Sequence, residues 1–173
     1  MEYLFQIALI SLPAGAVIFT AIYFMRKTNE RELLNLNMQL KKERQEFFLP
    51  NRVEAYQRSI LLLERIHPNS MLMRLSNPGL PSAAFQVKLL SSIREEYEHN
   101  IAQQMYISTQ AWDMVKKSKE ETIKIINIAG QQMTATSNGM DLAGKIFEIV
   151  AEVGTLPTEI AVENLKKELQ KLF

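Results

Sequence analysis

A chain of 173 residues with 20 Lys and Arg against 19 Asp and Glu, net charge +1, presents no long-range field for nucleic acid and argues against a general DNA or RNA binder. It contains no cysteine, which removes disulfides, thiolate metal sites, thiol nucleophiles and an acylated cysteine anchor, and fits a reducing compartment. Two histidines leave little for metal or acid-base chemistry.

Tyr3 to Met25 carries no charge and is bounded by Glu2 on one side and Arg26-Lys27 on the other. A hydrocarbon core about 30 Å thick takes roughly 20 apolar helical residues, so this stretch is expected to be a transmembrane helix. The alternative is a cleaved signal peptide, which would leave a secreted helical domain. Such a segment has a basic start, a shorter apolar run and a small-residue cleavage site, whereas this start is acidic and the basic pair follows the apolar run. With Arg26, Lys27 and Arg31 on its C-terminal side, the span is expected to leave the N-terminus outside and the rest of the chain in the cytoplasm. Ala8, Ser11 and Gly15 share one face of it. Ser11 and Gly15 form a small-x-x-x-small pair that lets two membrane helices approach closely, although small residues are common in spans generally.

From Arg26 to Phe48 the side chains become charged and amidated, and no Gly or Pro intervenes before Pro50, so the helix is expected to continue as a charged stalk. Leu33, Leu36, Leu40 and Phe47 fit an a/d spacing, but the intervening d position is Glu43, which leaves the coiled-coil signal short and imperfect. A solvated stalk is the plainer reading. Pro50 is expected to break the stalk and to open a helix running to about His67, with Val53, Tyr56, Ile60 and Leu63 as its stripe and Leu61, Leu62 and Ile66 widening it toward the centre of the core. The breakers Pro68, Pro78, Gly79 and Pro81 then mark a packed connection, whose apolar interlude Met71 to Leu75 is either extended or a short helix.

Ser82 reads as the N-cap of a long helix to about Met105, with Phe85, Leu89, Ile93, Tyr97 and Ile101 recurring every four residues. Ser108 caps another to about Met133, turning Trp112, Val115, Ile123 and Ile126 inward and Lys116, Lys117, Lys119 and Lys124 largely outward as a solvated face. Asp141 is expected to cap a helix ending at Gly154, with Leu142, Ile146, Ile149, Val150 and Val153 on its apolar side. Pro157 opens a last amphipathic helix carrying Leu165, Leu169 and Leu172. The whole is all-α: a transmembrane anchor over 1–25, a charged helical stalk over 26–49 and, over 50–173, a cytoplasmic bundle of about five helices.

Two Glu-x-x-His sequences, Glu64 to His67 and Glu96 to His99, carry the sharpest chemical hypothesis. On a helix this spacing sets a carboxylate and an imidazole on one side, as in helical-bundle di-iron enzymes. The wheel turns His99 away from the stripe of Ile93, Tyr97 and Ile101, and His67 abuts Pro68 at a helix end, so no metal and no other cofactor is expected. The polar cluster of His99, Asn100, Gln103 and Gln104 beside Tyr106 either fixes helix packing or, with Trp112, contacts a partner protein; Asn100 and Gln104 lie closer to the buried face than His99.

The segments Tyr56 to Pro68 (YQRSILLLERIHP) and Glu95 to Lys116 (EEYEHNIAQQMYISTQAWDMVK), behind an apolar start and a charged stalk, resemble a family of short, uncharacterised membrane proteins of Bacteroidota bacteria. The resemblance implies a single-span bacterial membrane protein with a helical cytoplasmic domain and brings no activity and no functional residues with it. The expected function is that of a non-enzymatic, membrane-anchored adaptor or accessory subunit. Its partners would be the lipid bilayer and either another protein or a second copy met through the span or the stalk. A metal-dependent enzyme built on Glu64, His67, Glu96 and His99 is the alternative.

Overall fold

The computed structural model describes residues 2–77 and 79–172, with side chains described at positions 3 and 15 and from 17 onward. Six α-helices run through them: α1 Glu2–Ile66, α2 Pro68–Leu75, α3 Ser82–Asn100, α4 Thr109–Gln131, α5 Gly139–Val153 and α6 Pro157–Gln170, with a 3-10 segment, Ile101–Met105, between α3 and α4. The described residues form no strand, and the bridge between Pro81 and Asn138 is isolated.

The chain divides into two compact units, Met1–Phe48 and Leu49–Phe173. In the first unit, every residue from 17 to 48 is exposed. Among the described residues no helix is long and apolar enough to cross a membrane. The expected span falls for most of its length on residues whose side chains lie outside the described set, as do Ala8 and Ser11 of its small-residue face; Gly15, which is described, is exposed.

Pro50 does not open a new helix, because α1 runs through it. A proline has no N–H to give the carbonyl of Glu46, but both residues are exposed, so water can take the freed acceptor.

In the second unit, α4 packs against α3, α5 and α6, and α2 rests on α3 and α5. The core gathers Tyr56, Leu62, Leu63 and Ile66 from α1, Phe85, Leu89 and Ile93 from α3, Trp112, Val115 and Ile126 from α4, Leu142 and Ile146 from α5, and Leu165 from α6. Each such fully buried side chain contributes about 1.5–3 kcal/mol through lost apolar exposure. Leu61, expected to widen the buried stripe, points to solvent. The apolar interlude after His67 resolves as helix α2, with Pro68 at its first position and Met71 and Leu72 turned inward.

The helix ends correct several expectations. Pro81, not Ser82, is the residue preceding α3. Ser82 is buried, and its N–H donates to Ser137 O at 3.0 Å while Gly139 N donates to Leu80 O at 2.8 Å, so the segments leading into α3 and α5 are zipped together. α3 ends at Asn100, and the tighter winding of the 3-10 segment, about three residues per turn, rotates Ile101 off the buried row; it is 44% exposed. Ser108 caps α4 as expected, its Oγ accepting from Ala111 N at 3.0 Å.

Asn138 rather than Asp141 caps α5. Its Oδ1 accepts from Met140 N and Asp141 N at 2.8 and 3.1 Å, and Asp141 Oδ2 accepts in return from Asn138 N at 2.8 Å, forming a reciprocal capping box. α5 stops at Gly154, whose φ of 76° suits a residue without Cβ, and Val153 beside it is exposed.

Candidate interaction surface

Trp112 lies on the first turns of α4 and Tyr97 near the end of α3, and their rings stack at 5.6 Å between centroids with 26° between planes. Lys119 completes the stack with its Nζ 4.2 Å from the Tyr97 ring centroid, so it is half-buried rather than part of the solvated lysine face expected there. A cation over an aromatic face gains about 0.5–2 kcal/mol, more as water is excluded. Lys116, Lys117 and Lys124 do face solvent.

Trp112 is only 4% exposed, so its indole belongs to the core under this stack. Asn100 is half-buried and donates Nδ2 to Glu96 O at 2.8 Å, an amide closing its own helix turn. Tyr106 is half-buried, and its backbone oxygen accepts from Arg52 Nε at 3.4 Å. Gln104 is exposed, contrary to its expected place nearer the buried face, because it lies on the 3-10 segment where the α-helical register no longer holds. Ile101, Gln104 and Met105 are each exposed there, two apolar side chains and an amide left in water. Periodicity could not have indicated Met105, since its exposure depends on where α3 tightens.

A polar knot lies within the same unit. Tyr56 donates its hydroxyl to Glu168 Oε2 at 3.1 Å, and Glu168 Oε1 accepts from Ser108 Oγ at 2.9 Å and from Asn164 Nδ2 at 3.4 Å. Burial first, and the Glu168 carboxylate second, push the Tyr56 hydroxyl above the ordinary tyrosine range, with Arg52 opposing weakly. One sign of this knot is present in the sequence: a tyrosine inside an apolar stripe brings a hydroxyl that needs a partner.

The two Glu-x-x-His pairs do not converge. Glu64 and His67 line one depression with Thr158 and Glu159, where His67 Nε2 is 3.5 Å from Glu159 Oε1. Glu96 and His99 line another with Arg65, Arg74 and Lys88. There the Glu96 carboxylate takes Arg65 Nε at 2.6 Å, and His99 is exposed. Arg74 and Lys88 are turned to helix ends, Arg74 Nη2 donating to Arg65 O and Lys88 Nζ to Leu75 O, each at 3.3 Å. These bonds cap the last carbonyls of α1 and α2. Among the described residues no group of three or more His, Cys, Asp or Glu could hold a metal ion. Arg65 and Glu96 pair two helices there, and Arg74 and Lys88 close helix ends.

No curated protein and no solved structure matches the chain. A family model described as "Family of unknown function (DUF7935)" matches residues 2–172, so its reach includes the first helix, the charged run and the whole bundle, and the protein belongs to that family.

Proposed function

We propose that this protein is a non-enzymatic adaptor or accessory subunit, anchored in a bacterial inner membrane by Tyr3–Met25 and holding its helical domain in the cytoplasm. The observation that carries this reading is the exposure of every residue of α1 from position 17 to 48. Most helices in proteins are stabilised by tertiary packing of an amphipathic face, so a helix this long without such packing is best explained by an outside surface. The uncharged stretch ahead of Arg26, Lys27 and Arg31 supports lipid as that surface for its first part. In the second unit, Glu96, Arg65, Arg74 and Lys88 are engaged in caps and interhelical bonds, which favours an interaction role; the exposed Ile101, Gln104 and Met105 are the side chains offered to a protein partner.

Reporter fusions at the C-terminus test the topology. A reporter active only in the cytoplasm, on a chain that stays with the membrane through alkaline extraction, is the expected result. An intact, uncleaved chain found free in the supernatant overturns the anchor. Purification in mild detergent tests the adaptor role: a self-associated or partner-bound species is expected, and a monomer under conditions that preserve other membrane complexes counts against it.

A further inference from the structure

We propose that the segment of α1 from Asn29 to Phe47 pairs in parallel with the same segment of a second copy of this chain, as a short two-stranded coiled coil. This deepens the adaptor reading by naming the occupant of the stalk, and it does not require that the anchor be correct.

Leu33, Leu40 and Phe47 occupy a positions and Leu36 a d position, with exposures of 61, 41, 74 and 51%. In a coiled coil these side chains would enter holes on a facing helix. The face through Leu34, Met38 and Phe48 is interrupted by Lys41 and Gln45, whereas the proposed seam between Leu33 and Phe47 has Glu43 as its one interruption.

Charge and register identify the second helix as a parallel copy. In a parallel pair Glu43 faces Glu43 of the other copy across the two-fold axis, and each d residue also lies beside the partner's e residue, so each Glu43 carboxylate meets Arg44 of the other copy and the two opposite-charge pairs offset the like-charge layer. The same alignment sets Asn29 against Asn29, an amide pair at the edge of the seam, and Gln39 at g opposite Arg44 at e. Each antiparallel register that mates the leucines instead opposes Leu33 or Leu40 to Asn29 or Glu43, burying a polar group on an apolar one.

The chain has no cysteine, so single introduced thiols report without background. Leu33→Cys, Phe47→Cys, Met38→Cys and Gln45→Cys are made separately in the full chain, reconstituted in phosphatidylcholine vesicles and mildly oxidised. A disulfide needs Cα atoms within about 7 Å, so in the parallel pair Leu33→Cys and Phe47→Cys both cross-link at least about tenfold faster than Met38→Cys and Gln45→Cys at the outward f positions. Cross-linking at only one of the two seam positions reveals an antiparallel contact and overturns the proposal, as does equal cross-linking at all four or at none.

Charge reversal adds an independent reading that does not depend on the apolar residues. Glu43→Arg on the Phe47→Cys background lowers cross-linking about tenfold by gathering like charges in one layer, and adding Arg44→Glu restores it. Failure of the double change to restore it removes the proposed pairing of these residues. Flotation of the same vesicles separates the two hypotheses: a chain that floats without cross-linking fails this inference alone, and one that cross-links without floating fails only the anchor.

Discussion

Tyr56 on α1 donates its hydroxyl to Glu168 on α6 at 3.1 Å, a bond between residues 112 positions apart that ties the start of the second unit to its last helix. Glu168 also receives Ser108, the cap of α4, so one carboxylate serves three helices. Tyr56→Phe removes a single neutral donor and is expected to cost about 1 kcal/mol, whereas Glu168→Ala leaves both hydroxyls without their acceptor and should cost about 2 kcal/mol or more. Urea unfolding of the two variants checks the order, and equal losses would mean that Ser108 and Tyr56 do not share the carboxylate.

The same bond sets an alkaline limit. The Tyr56 hydroxyl is raised above its ordinary value, chiefly by burial and next by Glu168. Both folded and unfolded chains hold the proton at neutral pH; as pH climbs past about 10 the unfolded tyrosine ionises first and draws the equilibrium toward itself. The contribution is therefore fully present below about pH 10 and is lost as pH rises through the folded value. Comparing unfolding free energies of the parent and Tyr56→Phe across that range checks this: the parent should lose stability more steeply, and parallel curves would remove Tyr56 as a cause.

Helices and core were legible in the sequence because apolar spacing is a local property: Phe85, Leu89 and Ile93 recur at four, and all three are buried. Ends were less legible. Ser82 and Asp141 have the chemistry of caps, but the contact between the loops before α3 and α5 decides their roles, and that contact joins Ser82 to Ser137 and Leu80 to Gly139. No window of sequence contains it. Ile101 failed for another reason, since the change from α to 3-10 winding after Asn100 alters the period on which the reading rested. Of the interaction residues, Trp112 was visible as important, but whether a tryptophan is buried or offered depends on its stack with Tyr97, which only the fold determines.

Two buried serines should respond oppositely to the same substitution. Ser118 Oγ lies 2.8 Å from Met114 O and 2.9 Å from Pro157 O, joining α4 to the start of α6, while Ser59 Oγ is buried with no hydrogen-bond partner among the described residues. Ser118→Ala should lose about 1 kcal/mol, and Ser59→Ala should be neutral or gain up to about 1 kcal/mol by removing an unsatisfied hydroxyl. Thermal melts of the pair suffice, and a clear loss at Ser59 would show that its hydroxyl is bonded after all.

Three glycines separate backbone strain from crowding. A Cβ at Gly139 would sit 3.1 Å from Asn77 O, backbone that cannot swing aside, so Gly139→Ala is expected to cost about 1–3 kcal/mol. At Gly154 the space is open but φ is 76°, so Gly154→Ala costs about 1 kcal/mol through conformation alone. Gly144 lies within α5 with open space around it, and Gly144→Ala should stabilise by up to about 1 kcal/mol. Chemical denaturation of the three should give that ranking, and a stable Gly139→Ala would contradict the close approach of the two loops.

Pro50 provides a test whose sign reports helix continuity. At the first position of a helix proline is favourable, so if a helix began there, Pro50→Ala would leave the region unchanged or loosen it. Inside α1, proline withholds a donor from Glu46 O and crowds that carbonyl, a burden of up to about 3 kcal/mol that alanine relieves. Amide hydrogen exchange over residues 46–54 should accordingly slow by about ten- to a hundredfold in Pro50→Ala, since exchange from a helix follows its local opening. Faster exchange in the variant would mean that α1 ends before Pro50 and that the bundle starts its own helix there.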